Sequence, residues 1–298
     1  MNPPTLQAAR SRISALSQMP SVHSVLRPLL DQLQQPVDSV NLFGVVELIS
    51  CDKSLAAQCL RMANSPLFGH SNKVESVRGA VVALGLRRVR EIVLSCFLLQ
   101  LTPARYTFVD PICFWEHSLG CALVARRLAR KVNFPDRERA YLAGLLHDLG
   151  SIVNLTLFPQ EFSEVLTYAR NNGTSIHFAE KTLWSFTHCE TGALLAEQWR
   201  LPDDLVDVIR CHHDFERTER SFALVAMTRI ADLLCRFRGL DVVADQSGQL
   251  DLSEEPAWVT LQQHLPQAKE LDVARLTFEI DAYTEEVKTL VSTMLHAA

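Results

Sequence analysis

Apolar residues recur at intervals of three and four along almost the whole of this chain, whereas convincing two-residue alternation is scarce. Val74, Val77, Val81 and Leu84 form one such stripe. This spacing places side chains on one face of an α-helix, while a half-buried β-strand requires alternation. The sequence contains no internal repeat and no low-complexity tract. It therefore predicts an all-α fold, organised as a helical bundle.

Turn and capping residues divide this pattern into separate helices. Asn64-Ser65-Pro66 ends one of them, because proline disfavours helix in the residue before it. Thr187 and Glu190 fit a capping box, which places His188 in the first turn of another. The first predicted helix begins near Asp38 or Ser39, and helical pattern returns from residue 257 to the end. Between them, helices are predicted at about residues 54–63, 74–84, 86–101, 112–132, 137–149, 160–171, 175–186, 188–199, 203–213 and 222–237.

The bulk composition excludes some classes of protein. The 298 residues are 48% hydrophobic and 21% charged, and the net charge of −5 argues against a general nucleic-acid coat, which needs a basic surface. Eight cysteines without a CxxC pair are typical of buried apolar residues in a reducing cytosol. No segment of signal-peptide type opens the chain, and its longest apolar stretch, Ile92 to Leu101, is too short to cross a bilayer. We therefore expect a cytoplasmic protein without a membrane partner.

Histidines and aspartates fall on the apolar faces of several predicted helices. One imidazole on such a face is ordinarily a hydrogen-bonded core residue, but several imidazoles with two carboxylates are costly to desolvate unless a shared divalent ion compensates. The adjacent side chains of His147 and Asp148 diverge by about 100° on a helix, so they can approach one ion or serve two. This mixture of donors suits iron, manganese or zinc better than calcium. The candidate ligands are His117, His147, Asp148, His188, His212, His213 and Asp232.

The order of these ligands resembles that of the HD superfamily, helical metal-dependent phosphohydrolases that include cyclic-dinucleotide phosphodiesterases. Residues 114–118 (FWEHS) and 144–150 (GLLHDLG) carry part of this likeness. Residues 60–69 (LRMANSPLFG) and 76–85 (SVRGAVVALG) resemble more specifically the HDOD family, the HD-related output domains of bacterial signalling. The likeness covers roughly residues 15–235.

The resemblance implies a division of the chain and a role. An N-terminal HDOD helical region, residues 1–107, is expected to pack on an HD-like core, residues 108–240, and an acidic loop with C-terminal helices, residues 241–298, is expected to pack back on that core. The implied role is regulatory output in a signalling pathway, with a signalling protein as partner and a nucleotide or phosphate as a further candidate ligand. The resemblance also implies one or two divalent transition-metal ions, iron, manganese or zinc, as cofactors.

The resemblance also implies how two ions would share the candidate ligands. Asp148 would bridge them. The first ion would be held by His117, His147 and Asp232, and the second by His188, His212 and His213.

Three departures from the catalytic relatives bear on activity. Ser151 stands where the cyclic-dinucleotide-cleaving relatives usually have a phosphate-binding lysine, and Cys113 stands where several relatives have a glutamate ligand. The GYP motif of those enzymes does not follow His213. These differences argue against cleavage of cyclic dinucleotides. They leave two alternatives open, a binding module without turnover and a metal-dependent hydrolase of another phosphate ester.

A basic cluster lies around Gly85. Arg87, Arg88 and Arg90 are candidates for binding an acidic partner or a phosphate, the alternative being a solvated helix face. The flanking helices resemble a helix-turn-helix, but residues 92–99 make the second helix too apolar for a recognition helix, so nucleic acid is not the expected partner.

Overall fold

The computed structural model of the chain describes residues 3–17, 42–51, 53–65, 73–101, 108–110, 112–215, 218, 220–243 and 251–295. Within these ranges the regular structure is entirely helical, with no strand. The predicted all-α fold is therefore confirmed. The division at residues 107 and 240 stays a prediction.

Five helices lie in the described residues before the connector at residues 108–110. Asn64 closes the third of them as expected, since its side-chain amide donates to the carbonyl of Val74 and its Oδ1 accepts from the Val74 backbone N–H, at 2.8 and 2.7 Å. Gly85 separates the fourth and fifth with φ of 82°. The predicted start near Asp38 or Ser39 lies outside the described residues. The five are α1 (Leu6–Ser17), α2 (Leu42–Cys51), α3 (Lys53–Ala63), α4 (Val77–Leu84) and α5 (Leu86–Leu101).

Eight helices lie in the described residues between 112 and 237 and form the central part of the structure. The predicted capping box is present, with reciprocal bonds between Thr187 and Glu190. The predicted helix over 137–149 instead ends at Leu146, and a new helix begins at Leu149, because the backbone of Asp148 leaves the helical region at φ −98° and ψ 19°. The eight are α6 (Ile112–Lys131), α7 (Arg137–Leu146), α8 (Leu149–Leu157), α9 (Pro159–Asn172), α10 (Ile176–Leu183), α11 (His188–Gln198), α12 (Asp203–Cys211) and α13 (Phe222–Phe237).

Close approaches between glycines and backbone bring these helices together. A Cβ atom on Gly144 of α7 would lie 2.5 Å from the carbonyl oxygen of Cys121 on α6, so only glycine allows this contact. A Cβ atom on Gly150 of α8 would lie 1.8 Å from the carbonyl oxygen of His188 on α11. The two contacts draw α6, α7, α8 and α11 around one centre.

The C-terminal helices pack on this central part. The helix α14 (Pro256–His264) lies against α13, and α15 (Val273–Leu295) lies against α6. Arg127 on α6 donates two hydrogen bonds to Glu279 on α15, at 2.7 and 3.1 Å. No helix in the described ranges combines the length and the apolar character that a membrane span needs.

Candidate metal centre

The seven predicted ligands converge in the middle of the central helices. Two of them lie within helices, His117 in α6 and Asp232 in α13, and the others lie at helix ends. The kink between α7 and α8 places His147 and Asp148 at the centre. All seven belong to two connected groups of side chains. One group contains His117 and His147, with Asp232 beside His117. The other contains Asp148, His188, His212 and His213.

The carboxylate of Asp148 lies between two pairs of histidines. Its Oδ1 is 3.2 Å from Nε2 of His188 and 3.3 Å from Nε2 of His212. Its Oδ2 is 3.7 Å from Nε2 of His147 and 3.8 Å from Nε2 of His117. One oxygen therefore faces each pair, which is the arrangement of a carboxylate that bridges two ions.

The first pair of imidazoles is oriented by backbone carbonyls. Nδ1 of His117 donates to the carbonyl oxygen of Leu240 at 2.7 Å, and Nδ1 of His147 donates to that of Gly144 at 2.8 Å. Because each Nδ1 carries a proton, each neutral ring presents the lone pair of Nε2 to the centre. A carbonyl on the outer nitrogen is the usual support of a metal-ligating histidine.

The second pair is oriented in the same way. Nδ1 of His188 donates to Oε2 of Glu180 at 2.7 Å, and Nδ1 of His212 donates to the carbonyl oxygen of Ile209 at 3.1 Å. Glu180 is fully buried and also accepts from Asn154 at 2.8 Å. A carboxylate behind a ligating histidine fixes its tautomer and raises its basicity. Glu180 was not among the residues predicted from the sequence, although it lies on the helix before His188.

The spacing of the inward nitrogens fits coordination of an ion. Nε2 of His117 lies 3.2 Å from Nε2 of His147, and Nε2 of His188 lies 3.4 Å from Nε2 of His212. Two nitrogens at the usual metal distance in a tetrahedral zinc site are about 3.3–3.4 Å apart. The donors thus fit a transition ion in both distance and chemistry.

Protons balance the charges of this cluster in the absence of an ion. Burial alone would lower the pKa of His117, but the hydrogen bond and charge of Asp232 outweigh it and raise the pKa to about 10. Burial lowers the pKa of His147 to about 4. Burial would raise the pKa of Asp148, but the nearby histidines, His147 first, hold it well below its ordinary range. A proton on Nε2 of His117 therefore lies towards the lone pair on Nε2 of His147, and the two nitrogens do not repel each other.

His213 differs from the other four histidines. Its Nδ1 lies 3.1 Å from Nη1 of Arg229, which also donates to Oδ2 of Asp232 at 2.8 Å. Since a guanidinium only donates, Nδ1 of His213 accepts, and the proton of the neutral ring is on Nε2. To ligate an ion through Nδ1, His213 would have to exchange the Arg229 N–H for the metal. His212 and His213 were predicted as equivalent ligands, and Arg229 was not predicted at the site.

A narrow cleft leads to the centre. Its accessible space of about 20 Å³ holds an ion or a water, which needs roughly 10–15 Å³, and is far too small for a nucleotide. His177, Arg236 and Asp241 line the cleft beside the predicted ligands, and sequence reasoning missed all three. The ring of His177 stacks on that of His213, with centroids 4.3 Å apart.

Two positions at which the chain departs from the catalytic relatives, Ser151 and Cys113, do not line the cleft. Ser151 is buried. Nη1 of Arg88 lies 3.5 Å from the buried carboxylate of Glu91. The side chains of Arg87 and Arg90 lie outside the described part of the chain, so the arginine cluster stays a prediction.

Comparisons with known proteins agree with this architecture. An HDOD domain protein of unknown function from Geobacter sulfurreducens has a crystal structure that matches with a TM-score of 0.81 at 30% identity, over 97% of each chain. An uncharacterized protein of Treponema pallidum is 25% identical over 237 residues, 78% of this chain and 45% of its own length. Ribonuclease Y of Mycoplasmoides gallisepticum is 28% identical over 135 residues, 43% of this chain and 20% of that enzyme. The chain thus spans less than half of each of these two curated relatives.

The family model of the HDOD domain matches residues 19–215, about two thirds of the chain. Together with the Geobacter sulfurreducens structure, this match covers the helices that surround the cluster. The chain therefore belongs to the HDOD family.

Proposed function

We propose that this protein is a cytoplasmic regulatory HDOD protein whose core binds two divalent transition-metal ions. One observation carries the proposal: four Nε2 atoms, from four different elements, surround the two oxygens of a single carboxylate, Asp148. Each of the four rings has its outer nitrogen bonded to an acceptor. A core histidine that served packing alone would not need this common orientation.

The donors divide into two subsites. The first subsite has His117, His147 and Asp232, with Oδ2 of Asp148. The second has His188 and His212, with Oδ1 of Asp148, and His213 joins it if Arg229 releases its ring. Imidazole and carboxylate together favour iron, manganese or zinc. Ions bound here would supply positive charge that stabilises the buried carboxylates and, in a hydrolase, activates water.

A regulatory role accounts for the narrow cleft better than turnover does. The space at the centre admits an ion but no nucleotide, and the lysine of the cyclic-dinucleotide-cleaving relatives is replaced by the buried Ser151. We propose that a signalling protein binds the helical surface while the ions keep the core in one arrangement. Several helices contribute ligands, so occupancy of the centre and the packing of those helices are thermodynamically linked.

Metal analysis tests the two-ion centre. The full chain, purified without chelator and analysed by inductively coupled plasma mass spectrometry, is expected to hold about two transition ions. Asp148→Ala removes the bridge and should lower the content to less than half. Asp203→Ala, which changes an exposed carboxylate at the start of α12, should leave it unchanged. A wild-type content near zero that added iron, manganese or zinc does not raise would refute the proposal.

A metal-dependent phosphohydrolase is the second candidate. The observation that favours it is the bridging position of Asp148, because paired ions activate water and neutralise phosphate in hydrolases. The relative ribonuclease Y is also named for cleavage of a phosphodiester. A panel of phosphomonoesters, nucleotides and cyclic nucleotides, each with iron, manganese and zinc, tests this candidate. Product release that Asp148→Ala abolishes would establish it, and no release with any metal would exclude it for those substrates.

A further inference from the structure

A cysteine thiol lies beside the first subsite. Cys121 follows His117 by four residues on α6, so both side chains lie on the same helix face. The thiol is completely buried, and its Sγ is 3.6 Å from Nε2 of His117. The ligand atoms of Cys121, His117 and His147 all lie within 4.8 Å of one another.

Two of the distances fall in the range of a tetrahedral site with mixed sulfur and nitrogen ligands, and Sγ of Cys121, which also lies 4.0 Å from Nδ1 of His117, would turn towards the ion on binding. With zinc–sulfur bonds of about 2.3 Å and zinc–nitrogen bonds of about 2.0–2.1 Å, sulfur and nitrogen are about 3.5–3.6 Å apart. The observed Sγ–Nε2 distance to His117 is 3.6 Å, and the two imidazole nitrogens are 3.2 Å apart. Oδ1 of Asp232 lies 3.3 Å from Nε2 of His117.

The orientation of the two imidazoles next to this thiol favours binding of an ion, whether or not the thiol takes part. His117 and His147 are at most 3% exposed, and their Nε2 atoms face each other across 3.2 Å. Both outer nitrogens donate to carbonyls, so neither neutral ring has a proton left for the other. The proton on His117 that separates these lone pairs in the metal-free protein occupies the place that an ion bound by both Nε2 atoms would take.

We propose that Cys121 is a thiolate ligand of the ion at the first subsite, together with His117, His147 and Asp232. This inference rests on the proposed metal centre and extends it to a donor of a different class. A thiolate is a soft ligand, so the first subsite should prefer zinc or cobalt to manganese. The second subsite has only imidazole and carboxylate donors and should keep the broader preference.

The ligand set also indicates what the first ion does. With Oδ2 of the bridging Asp148, the first ion would have two imidazoles, a thiolate and two carboxylates, which leaves no open position of the kind that catalytic zinc sites keep for water. The first ion is therefore a structural ion that joins α6, α7 and α13. Burial raises the pKa of the Cys121 thiol well above its ordinary range in the metal-free protein, and coordination to the ion removes the proton.

Cobalt substitution tests the assignment without any assay of activity. The full chain is stripped with a chelator and titrated with cobalt(II) under anaerobic conditions. A thiolate ligand gives an intense sulfur-to-cobalt charge-transfer absorption in the near ultraviolet, which nitrogen and oxygen ligands lack. We expect this band in the wild type and its complete loss in Cys121→Ser and Cys121→Ala, while visible absorption from cobalt at the second subsite persists.

Cys235→Ser is the matched control. Cys235 on α13 is also fully buried and its thiol is hydrogen-bonded with that of Cys121, so this variant makes the same change one side chain away. It should retain the band. A band that survives Cys121→Ser or disappears in Cys235→Ser would overturn the assignment.

X-ray absorption of the zinc-loaded wild type gives a second readout, because it should show one sulfur at about 2.3 Å. This measurement does not depend on the folding of any variant. If the wild type binds cobalt and zinc without the band and without a sulfur neighbour, Cys121 is not a ligand and the two-ion centre still stands. If the wild type binds neither metal, the proposed metal centre itself is refuted.

Discussion

Gly150 of α8 lies directly against Gly192 of α11, and a Cβ atom on Gly192 would be 2.9 Å from the backbone nitrogen of Gly150. In the other direction, a Cβ atom on Gly150 would be 2.7 Å from the backbone nitrogen of Gly192. The contact sets how closely α8 approaches α11. Since Asp148 and His188 lie at the starts of these two helices, it also sets the 3.2 Å distance between their side chains.

Gly150→Ala is expected to destabilise the protein and the centre together. The added methyl would overlap the backbone of α11, and overpacking of this kind costs about 3 kcal/mol or more where the backbone must shift. Urea unfolding and zinc titration measure the two effects. Gly85→Ala is the control, because that residue has φ of 82° but no atom within 4 Å of an added Cβ. It should cost only about 1–2 kcal/mol of backbone strain and leave zinc affinity unchanged. Equal loss of zinc affinity in both variants would contradict the role of the glycine contact.

Glu180→Gln should weaken metal binding without removing any proposed ligand. The carboxylate of Glu180 accepts from Nδ1 and from the backbone N–H of His188, at 2.7 and 2.9 Å. Loss of such support behind a ligating histidine lowers metal affinity by about 10–100-fold. Calorimetric titration with zinc measures this loss of affinity. The control is Glu164→Gln, an exposed position on α9, and an affinity loss there of the same size would show that the effect at Glu180 is not specific.

His212→Ala should reduce metal binding far more than His213→Ala does. Nε2 of His212 faces Oδ1 of Asp148 at 3.3 Å with its outer nitrogen already bonded, whereas Nδ1 of His213 accepts from Arg229. Metal content of the two variants, purified in parallel, provides the comparison. If both variants lose the same amount of metal, His213 is a ligand and Arg229 moves when the ion binds.

The stability of the metal-free protein should depend on pH through His117 and Asp232. The pKa of His117 is raised from 6.5 to about 10 in the folded protein, so its stabilising contribution is complete below pH 6.5 and is lost as the pH rises towards 10. Asp232→Asn removes the hydrogen bond and charge that counter the effect of burial on this pKa. The difference in free energy of unfolding between wild type and variant should therefore be largest near pH 6.5 and shrink towards pH 10.

Urea titrations in the presence of chelator measure this difference at both pH values. Asp232 also accepts from Arg229, but a guanidinium stays charged over this range, so that contribution is constant and cancels. Asp203→Asn, an exposed change, should shift stability equally at both pH values. A difference for Asp232→Asn that does not vary with pH would show that His117 is not protonated in the metal-free protein.

Local sequence signals predicted most helix bounds closely, because they act within one turn. The helix Phe222–Phe237 was predicted at its observed bounds, and the Thr187–Glu190 box begins α11 as expected. The end of α7 was predicted three residues late, at residue 149, and α8, which follows the break at Asp148, was not predicted. That break is a tertiary feature: it lets α8 turn towards α11 while α7 stays against α6.

The sequence by itself determined the helical class, the family resemblance and the seven polar side chains that needed a common explanation, because periodicity and residue type are properties of the chain. Only the tertiary structure decided which nitrogen of each ring faces inward, that Arg229 sets His213 apart, and that Cys121 lies at ligand distance. The orientation of His117 depends on a carbonyl 123 residues away, at Leu240. Contacts of this kind exist only after the helices have packed, so no local pattern encodes them.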